Sequence, residues 1–180
     1  LLRPYVAWPE STSAVHRHVA ALRTGGAAAK NAAKELANLA FDSDAHRAAV
    51  VKAGGIEPLV ELLRGGSAEY AAGALLNVAN TDGMDERSGY GMDLAKVIVK
   101  AGAVAPLVEL VRGGNVKAKE HAAVVLGLLA YENDAISAAI VKARGIAPLV
   151  KLARSGSADA KAKAAYALAS LADNDNDAIS

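Results

Sequence analysis

Small and branched apolar residues recur along the chain as a five-position stripe. The stripe occupies relative positions 0, 1, 4, 7 and 8 and occurs four times. At about 3.6 residues per turn these positions share one side of a helix, so each stripe predicts a helix with one buried face. Its columns are Ala32, Ala71, Ala122 and Ala164; Ala33, Ala72, Ala123 and Ala165; Leu36, Leu75, Leu126 and Leu168; Leu39, Val78, Leu129 and Leu171; and Ala40, Ala79, Ala130 and Ala172.

A second block precedes three of the stripes and shows that one unit has been copied. It reads VKAGGIEPLVELLRGG at 51–66, VKAGAVAPLVELVRGG at 99–114 and VKARGIAPLVKLARSG at 141–156. A weaker copy without the proline lies at 15–26. Self-similarity with a period of about forty residues predicts a repeat protein, in which stacked units share one apolar core.

Local signals divide each unit into three helices. Asp44 and Asp134 are predicted to N-cap a short first helix, and Gly54 and Gly102 permit the sharp turn after it. Proline is tolerated in the first turn of a helix, because its missing N–H has no partner there. The prolines that begin the second helix in this way are Pro58, Pro106 and Pro148. Glycine pairs end that helix, and the stripe forms the third.

The three-helix unit, its Gly-x-x-Pro-Leu-Val-x-Leu signature and its period resemble the armadillo repeat family over residues 15–173. The resemblance implies an all-α protein, a right-handed α-solenoid of about four repeats. HEAT repeats are the nearest alternative, but they have two-helix units. The expected units are 15–43, 44–80, 92–131 and 134–173, with the start of another at 174–180, an N-terminal flank or partial first helix at 1–14, and an inserted loop at 81–91.

The same resemblance implies that the third helices line a concave groove for extended peptides. The third and seventh residues of each stripe segment point about half a turn away from the core, at about 100° per residue. The groove candidates are therefore Lys34, Asn38, Gly73, Asn77, Val124, Leu128, Tyr166 and Ser170. In the family an asparagine at the second of these positions binds the peptide backbone, and Asn38 and Asn77 match it. The alternative is that both are solvated helix residues.

Nuclear-import adaptors of this family place tryptophans at the first groove position, and this chain has none there. The difference argues against a nuclear-localisation-signal receptor and leaves open whether the ligand is an extended peptide. The insertion at 81–91 offers Asp85, Arg87 and Tyr90 as a partner-specific loop, or it is a tolerated length variant. The acidic residues in and after this loop lack the alternating ligand spacing of an EF-hand calcium site.

The composition of the chain excludes further classes of function. Lysine plus arginine (20) nearly balance aspartate plus glutamate (19), so no bulk charge favours nucleic acid or an anionic membrane. The chain has no cysteine, and its four histidines are scattered, so we expect no metal site and no cofactor. There is no phosphate-binding loop, nucleophile elbow, membrane-spanning stretch or signal-peptide layout. We expect a cytoplasmic protein that is not an enzyme.

The sequence therefore predicts a protein–protein interaction module, an adaptor or scaffold that binds a protein or peptide through its third helices or the inserted loop. Two alternatives stay open. One is a structural subunit of a large ciliary or cytoskeletal assembly. The other is the substrate-recruiting region of a larger enzyme such as a ubiquitin ligase. The chain is expected to be a piece of a longer protein, because it lacks an initiator methionine and ends inside a repeat.

Overall fold

A computed structural model describes residues 10–41, 43–80 and 94–173. These residues form eleven α-helices and no β-strand. The helices are α1 (Glu10–Leu22), α2 (Gly26–Phe41), α3 (Asp44–Lys52), α4 (Ile56–Leu62), α5 (Ala68–Ala79), α6 (Leu94–Lys100), α7 (Val104–Gly113), α8 (Val116–Ala130), α9 (Asp134–Lys142), α10 (Ile146–Ser155) and α11 (Ala158–Asp173).

The helices follow the predicted three-helix order. The short first helices are α3, α6 and α9, the second helices are α1, α4, α7 and α10, and the third helices are α2, α5, α8 and α11. Each third helix packs on its own second helix, and successive third helices pack on one another in the pairs α2–α5, α5–α8 and α8–α11. The structure is thus an α-solenoid in which one core runs through successive repeats.

The predicted stripe forms that core. Leu36, Leu75 and Leu126 are fully buried, as are the stripe alanines Ala33, Ala72 and Ala123. The stripe of α11 differs, since Ala165 and Ala172 are exposed. Within the described part of the chain no helix packs on the outer side of α11, and this leaves one flank of its stripe uncovered.

The caps of the first helices lie one residue earlier than predicted. Ser43 and Asn133 are the N-caps, and the side chain of each accepts a hydrogen bond from the backbone N–H three residues later, at 3.2 and 3.1 Å. Asp44 and Asp134 are the first helical residues instead. The prediction was wrong by one position because serine and asparagine cap as well as aspartate does, and only the backbone geometry distinguishes the two placements.

In all three complete units, the turn between the first and second helices contains one residue in the left-handed backbone conformation. Gly54 and Gly102 have φ of 68° and 83°, which confirms the role predicted for them. In the third of these turns Arg144 occupies the same place with φ of 60°. The sequence reading did not anticipate a residue with a side chain in this strained position.

Arg47 joins two successive elements at the end of α2. Its Nε donates to the carbonyl of Ala40 at 2.8 Å and its Nη2 to that of Phe41 at 2.7 Å, while Nη1 pairs with Asp44. Ser137 takes the equivalent place in the fourth unit, and its hydroxyl donates to the last carbonyl of α8 at 3.4 Å. The free carbonyls at the end of a helix are thus satisfied by the next repeat.

Replacing Arg47 by alanine would leave two carbonyls at the end of α2 without these donors. We expect Arg47→Ala to lower the free energy of unfolding by about 2 to 3 kcal/mol, measured by urea denaturation. Arg17→Ala, on an exposed part of α1, is the matched control and should change it by less than about 0.5 kcal/mol. Equal effects of the two variants would contradict the capping role.

Candidate binding surface of the third helices

The four third helices lie side by side in chain order. The groove candidates on them differ in how far their side chains are exposed to solvent. Lys34 and Asn38 are exposed. Asn77, Val124 and Leu128 are half-buried. The remaining three are Tyr166, which is 39% exposed, and Gly73 and Ser170, which are buried.

The two asparagines differ in what they bind. Asn77 Nδ2 donates to the carbonyl of Ala37 at 2.8 Å, so it links α5 to α2. Its Oδ1 forms no hydrogen bond within the described residues, and no fully buried polar side-chain atom there lacks a partner, so this oxygen is at least partly open to solvent. Asn38 is exposed and forms no hydrogen bond in that part of the chain. Each asparagine therefore keeps an amide oxygen available at the surface.

Two helix glycines lie under rings from the next repeat. A Cβ built on Gly127 would lie 2.6 Å from Cε1 of Tyr166, and one built on Gly73 would lie 3.3 Å from the ring of His121. Each glycine lets the ring lie directly against the preceding helix. Sequence reading missed Gly127, although glycine costs about 1 kcal/mol relative to alanine in a helix interior and so marks a close approach.

Ser170 directs its hydroxyl inward along its own helix. The Oγ donates to the carbonyl of Tyr166 at 3.1 Å, and the side chain is only 3% exposed. Its hydroxyl is consequently the least accessible polar group among the groove candidates.

A row of contacts that the sequence reading did not predict joins the amino-terminal halves of the third helices. Each contact joins a residue two positions before the stripe of one third helix to the residue one position before the stripe of the following third helix. Lys30 Nζ lies 5.1 Å from the ring centroid of Tyr70, a cation–π contact. His121 Nδ1 lies 3.2 Å from the carbonyl oxygen of Glu69. The carboxylate of Glu69 also accepts from Asn115 Nδ2 at 2.9 Å.

Glu120 makes the third contact of this row and is only 2% exposed. Its Oε2 lies 2.9 Å from Lys117 Nζ and 3.3 Å from Lys163 Nζ, and its Oε1 accepts from the hydroxyl of Ser157 at 3.2 Å. The hydrogen bond from Lys117 is the main cause of a lowered pKa at Glu120, and Lys163 adds to it against the opposing effect of burial. A buried charge is thus satisfied by partners from two repeats.

Solved structures with this architecture include engineered repeat proteins. An engineered protein of 36% sequence identity covers 88% of the chain with a TM-score of 0.75. A designed armadillo repeat protein of 23% identity covers 87% with a TM-score of 0.74. Another, in complex with the peptide (KR)4, has 23% identity, the same coverage and a TM-score of 0.72. The chain has an armadillo-like repeat fold.

The armadillo-like chain spans less than two thirds of these structures, at 62% of the engineered protein and 63% of each designed one. No family model and no curated protein matches the sequence. At 23% identity the two designed proteins support the fold alone.

Residues 81–93, with the loop candidates Asp85, Arg87 and Tyr90, lie outside the described residues. Among the residues that are described, no group of three or more His, Cys, Asp or Glu could hold a metal ion. No helix in the same ranges is both long and apolar enough to span a bilayer.

Removing the charge of Glu120 tests the link between α8 and α11. At pH 7 we expect Glu120→Gln to lower the free energy of unfolding by about 1 to 3 kcal/mol. Because folding lowers the pKa of Glu120, its carboxylate stabilises the folded protein at pH values above the ordinary glutamate pKa. That contribution is lost as the pH falls through the folded value. The difference from the unsubstituted chain should therefore shrink in acid, as measured by urea denaturation across pH.

Glu109→Gln is the matched control, because Glu109 forms an exposed pair with Arg112. It should change the free energy of unfolding by less than about 0.5 kcal/mol. A Glu120→Gln effect of the same size at every pH would contradict the assignment.

A methyl group at Gly127 tests the ring contact. Alanine favours a helix by about 1 kcal/mol, but the new Cβ would crowd both the Tyr166 ring and the Ala167 Cα, 3.1 Å away. We expect Gly127→Ala to lower the free energy of unfolding by about 1 kcal/mol overall, measured in urea. At Gly113 a Cβ would meet nothing within 4 Å, so Gly113→Ala should be neutral or stabilising. Equal stabilisation by both variants would show that the ring moves aside at no cost.

Proposed function

We propose that this chain is a protein–protein interaction module that binds an extended peptide segment of a partner across α2, α5, α8 and α11. The observation that carries the proposal is the pair of accessible amide oxygens on Asn38 and Asn77, at the same position of adjacent third helices. Packed helices lie about 8 to 10 Å apart. An extended chain advances about 3.3 Å per residue, so the two amides would meet backbone groups two or three residues apart.

The chemistry of the surface changes along the solenoid. On α2 and α5 the accessible groups are the amides and the ammonium of Lys34. On α8 and α11 they are Val124, Leu128 and the ring of Tyr166. A peptide bound here would form backbone hydrogen bonds at the first two units and insert an apolar side chain at the last two.

Designed relatives of the fold support peptide binding as the activity. One was solved with the peptide (KR)4, and another belongs to a set designed for modular peptide recognition. The tryptophans expected of a lysine-binding groove are absent here, so the peptide that we propose is apolar at one end and not rich in lysine. We propose binding and not catalysis as the function, with the cytoplasm as the compartment.

The test begins with peptides selected from a random display library on the 180-residue chain. We expect Asn38→Ala to weaken their binding about fivefold, measured by fluorescence anisotropy, because one hydrogen bond to the peptide backbone is lost. Its unfolding midpoint in urea should not change, since the side chain forms no bond within the described part of the protein.

Arg17→Ala is the control, because Arg17 is exposed on α1, a second helix that carries none of the groove candidates. It should bind the peptides as the unsubstituted chain does. Equal affinities of the Arg17 and Asn38 variants would contradict binding of the peptide across the third helices.

A further inference from the structure

A second recess lies away from the groove candidates, between α10 and the junction of α7 with α8. Its volume is about 500 Å³, within the range of about 300 to 1,000 Å³ typical of ligand sites. Val111, Val116 and Leu152 supply apolar surface, and Val116 is 60% exposed. We call this recess the basic groove, for the residues that border it.

Four cationic side chains border the basic groove, and no aspartate or glutamate lines it. They are Arg112, Lys119, Arg144 and Lys151. Arg112 pairs with Glu109 on its own helix. Within the described part of the chain the other three form no side-chain hydrogen bond or ion pair. With the whole chain nearly neutral, at 20 basic and 19 acidic residues, the positive potential here is local.

Two of these charges can be compared with the residues at the equivalent positions of the preceding repeats. At the position of Arg144 the two preceding units have Gly54 and Gly102. At the position of Lys151 they have glutamate, Glu61 and Glu109. The fourth unit thus gains one positive charge and reverses one negative charge at the same recess.

The arginine is also in a conformation that suits glycine better. Arg144 has φ of 60°, where the equivalent glycines have 68° and 83°. A residue with a Cβ is strained in this left-handed region. The two equivalent turns avoid this backbone strain because they have glycine. Backbone strain that is retained at one position is found at binding sites more often than elsewhere in a fold.

We infer that the basic groove binds an acidic segment of a protein partner that carries an apolar side chain. Carboxylates would pair with Lys119, Arg144 and Lys151, and the apolar side chain would pack on Val116 and Leu152. The ten-residue helix α10 is about 15 Å long, which matches four or five residues of an extended segment. The recess is concave, which favours a narrow peptide over the broad surface of a bilayer, and its apolar floor favours a leucine-type side chain over the phosphates of nucleic acid.

The test uses the 180-residue chain and a labelled eight-residue peptide. The peptide consists of three glutamates, two leucines and three more glutamates, in that order. We expect saturable binding by fluorescence anisotropy. Arg144→Gly and Lys151→Glu should each weaken it about tenfold. Both variants restore residues of the other units, so they should fold. Arg144→Gly should have an unchanged or higher unfolding midpoint because the strained turn is relieved.

Arg17→Glu is the matched control, because it makes the same charge change as Lys151→Glu on exposed α1. It should leave the affinity unchanged, as should Asn38→Ala, which separates this site from the third-helix groove. The inference is overturned if the peptide does not bind, if Arg17→Glu weakens binding as much as Lys151→Glu, or if replacing the peptide glutamates by lysine leaves the affinity the same. Tighter binding of an oligothymidylate or of phosphatidylserine vesicles, dependent on Arg144 and Lys151, would also overturn it.

Discussion

Close packing between successive third helices is the constraint on which the rest of this structure depends. Ala32, Ala71, Ala122 and Ala164 are each at most 2% exposed, and they lie where neighbouring third helices meet. Alanine extends no further than Cβ, so the helix backbones approach closely and side chains of one unit reach the backbone of the next. The hydrogen bond from Asn77 to α2 and the ring of Tyr166 over Gly127 both require this short separation.

The same packing divides the polar groups into those that join repeats and those that face solvent. Glu120 and Arg47 are buried, and their partners come from two elements each, so they hold neighbouring units in one arrangement. Asn38 and three cations of the basic groove, Lys119, Arg144 and Lys151, form no side-chain hydrogen bond or ion pair in the described ranges. The stack thus presents two separate surfaces, with amides and apolar groups on the third helices and positive charge beside α10.

Single residues show where sequence reading succeeds and where it stops. Pro58 and Gly54 act through their own backbone restrictions, so their roles could be predicted and the structure agrees. The N-caps were misplaced by one residue, since Ser43 and Asp44 are both good caps. Arg144 was missed because its position in the repeat predicts glycine. Its departure becomes informative only when φ and the neighbouring α7 and α8 are known.

The sequence by itself determined the helices, their order and the buried stripe, because these depend on local backbone preferences and on a periodicity that four copies repeat. It also located the groove candidates, since positions on a helix follow from its pitch. Only the tertiary structure decided which of them stay accessible, as with the buried Ser170 and the exposed Asn38. It alone brought Lys119, Arg144 and Lys151 to one recess. These residues lie on different elements, and their distances depend on how the repeats stack.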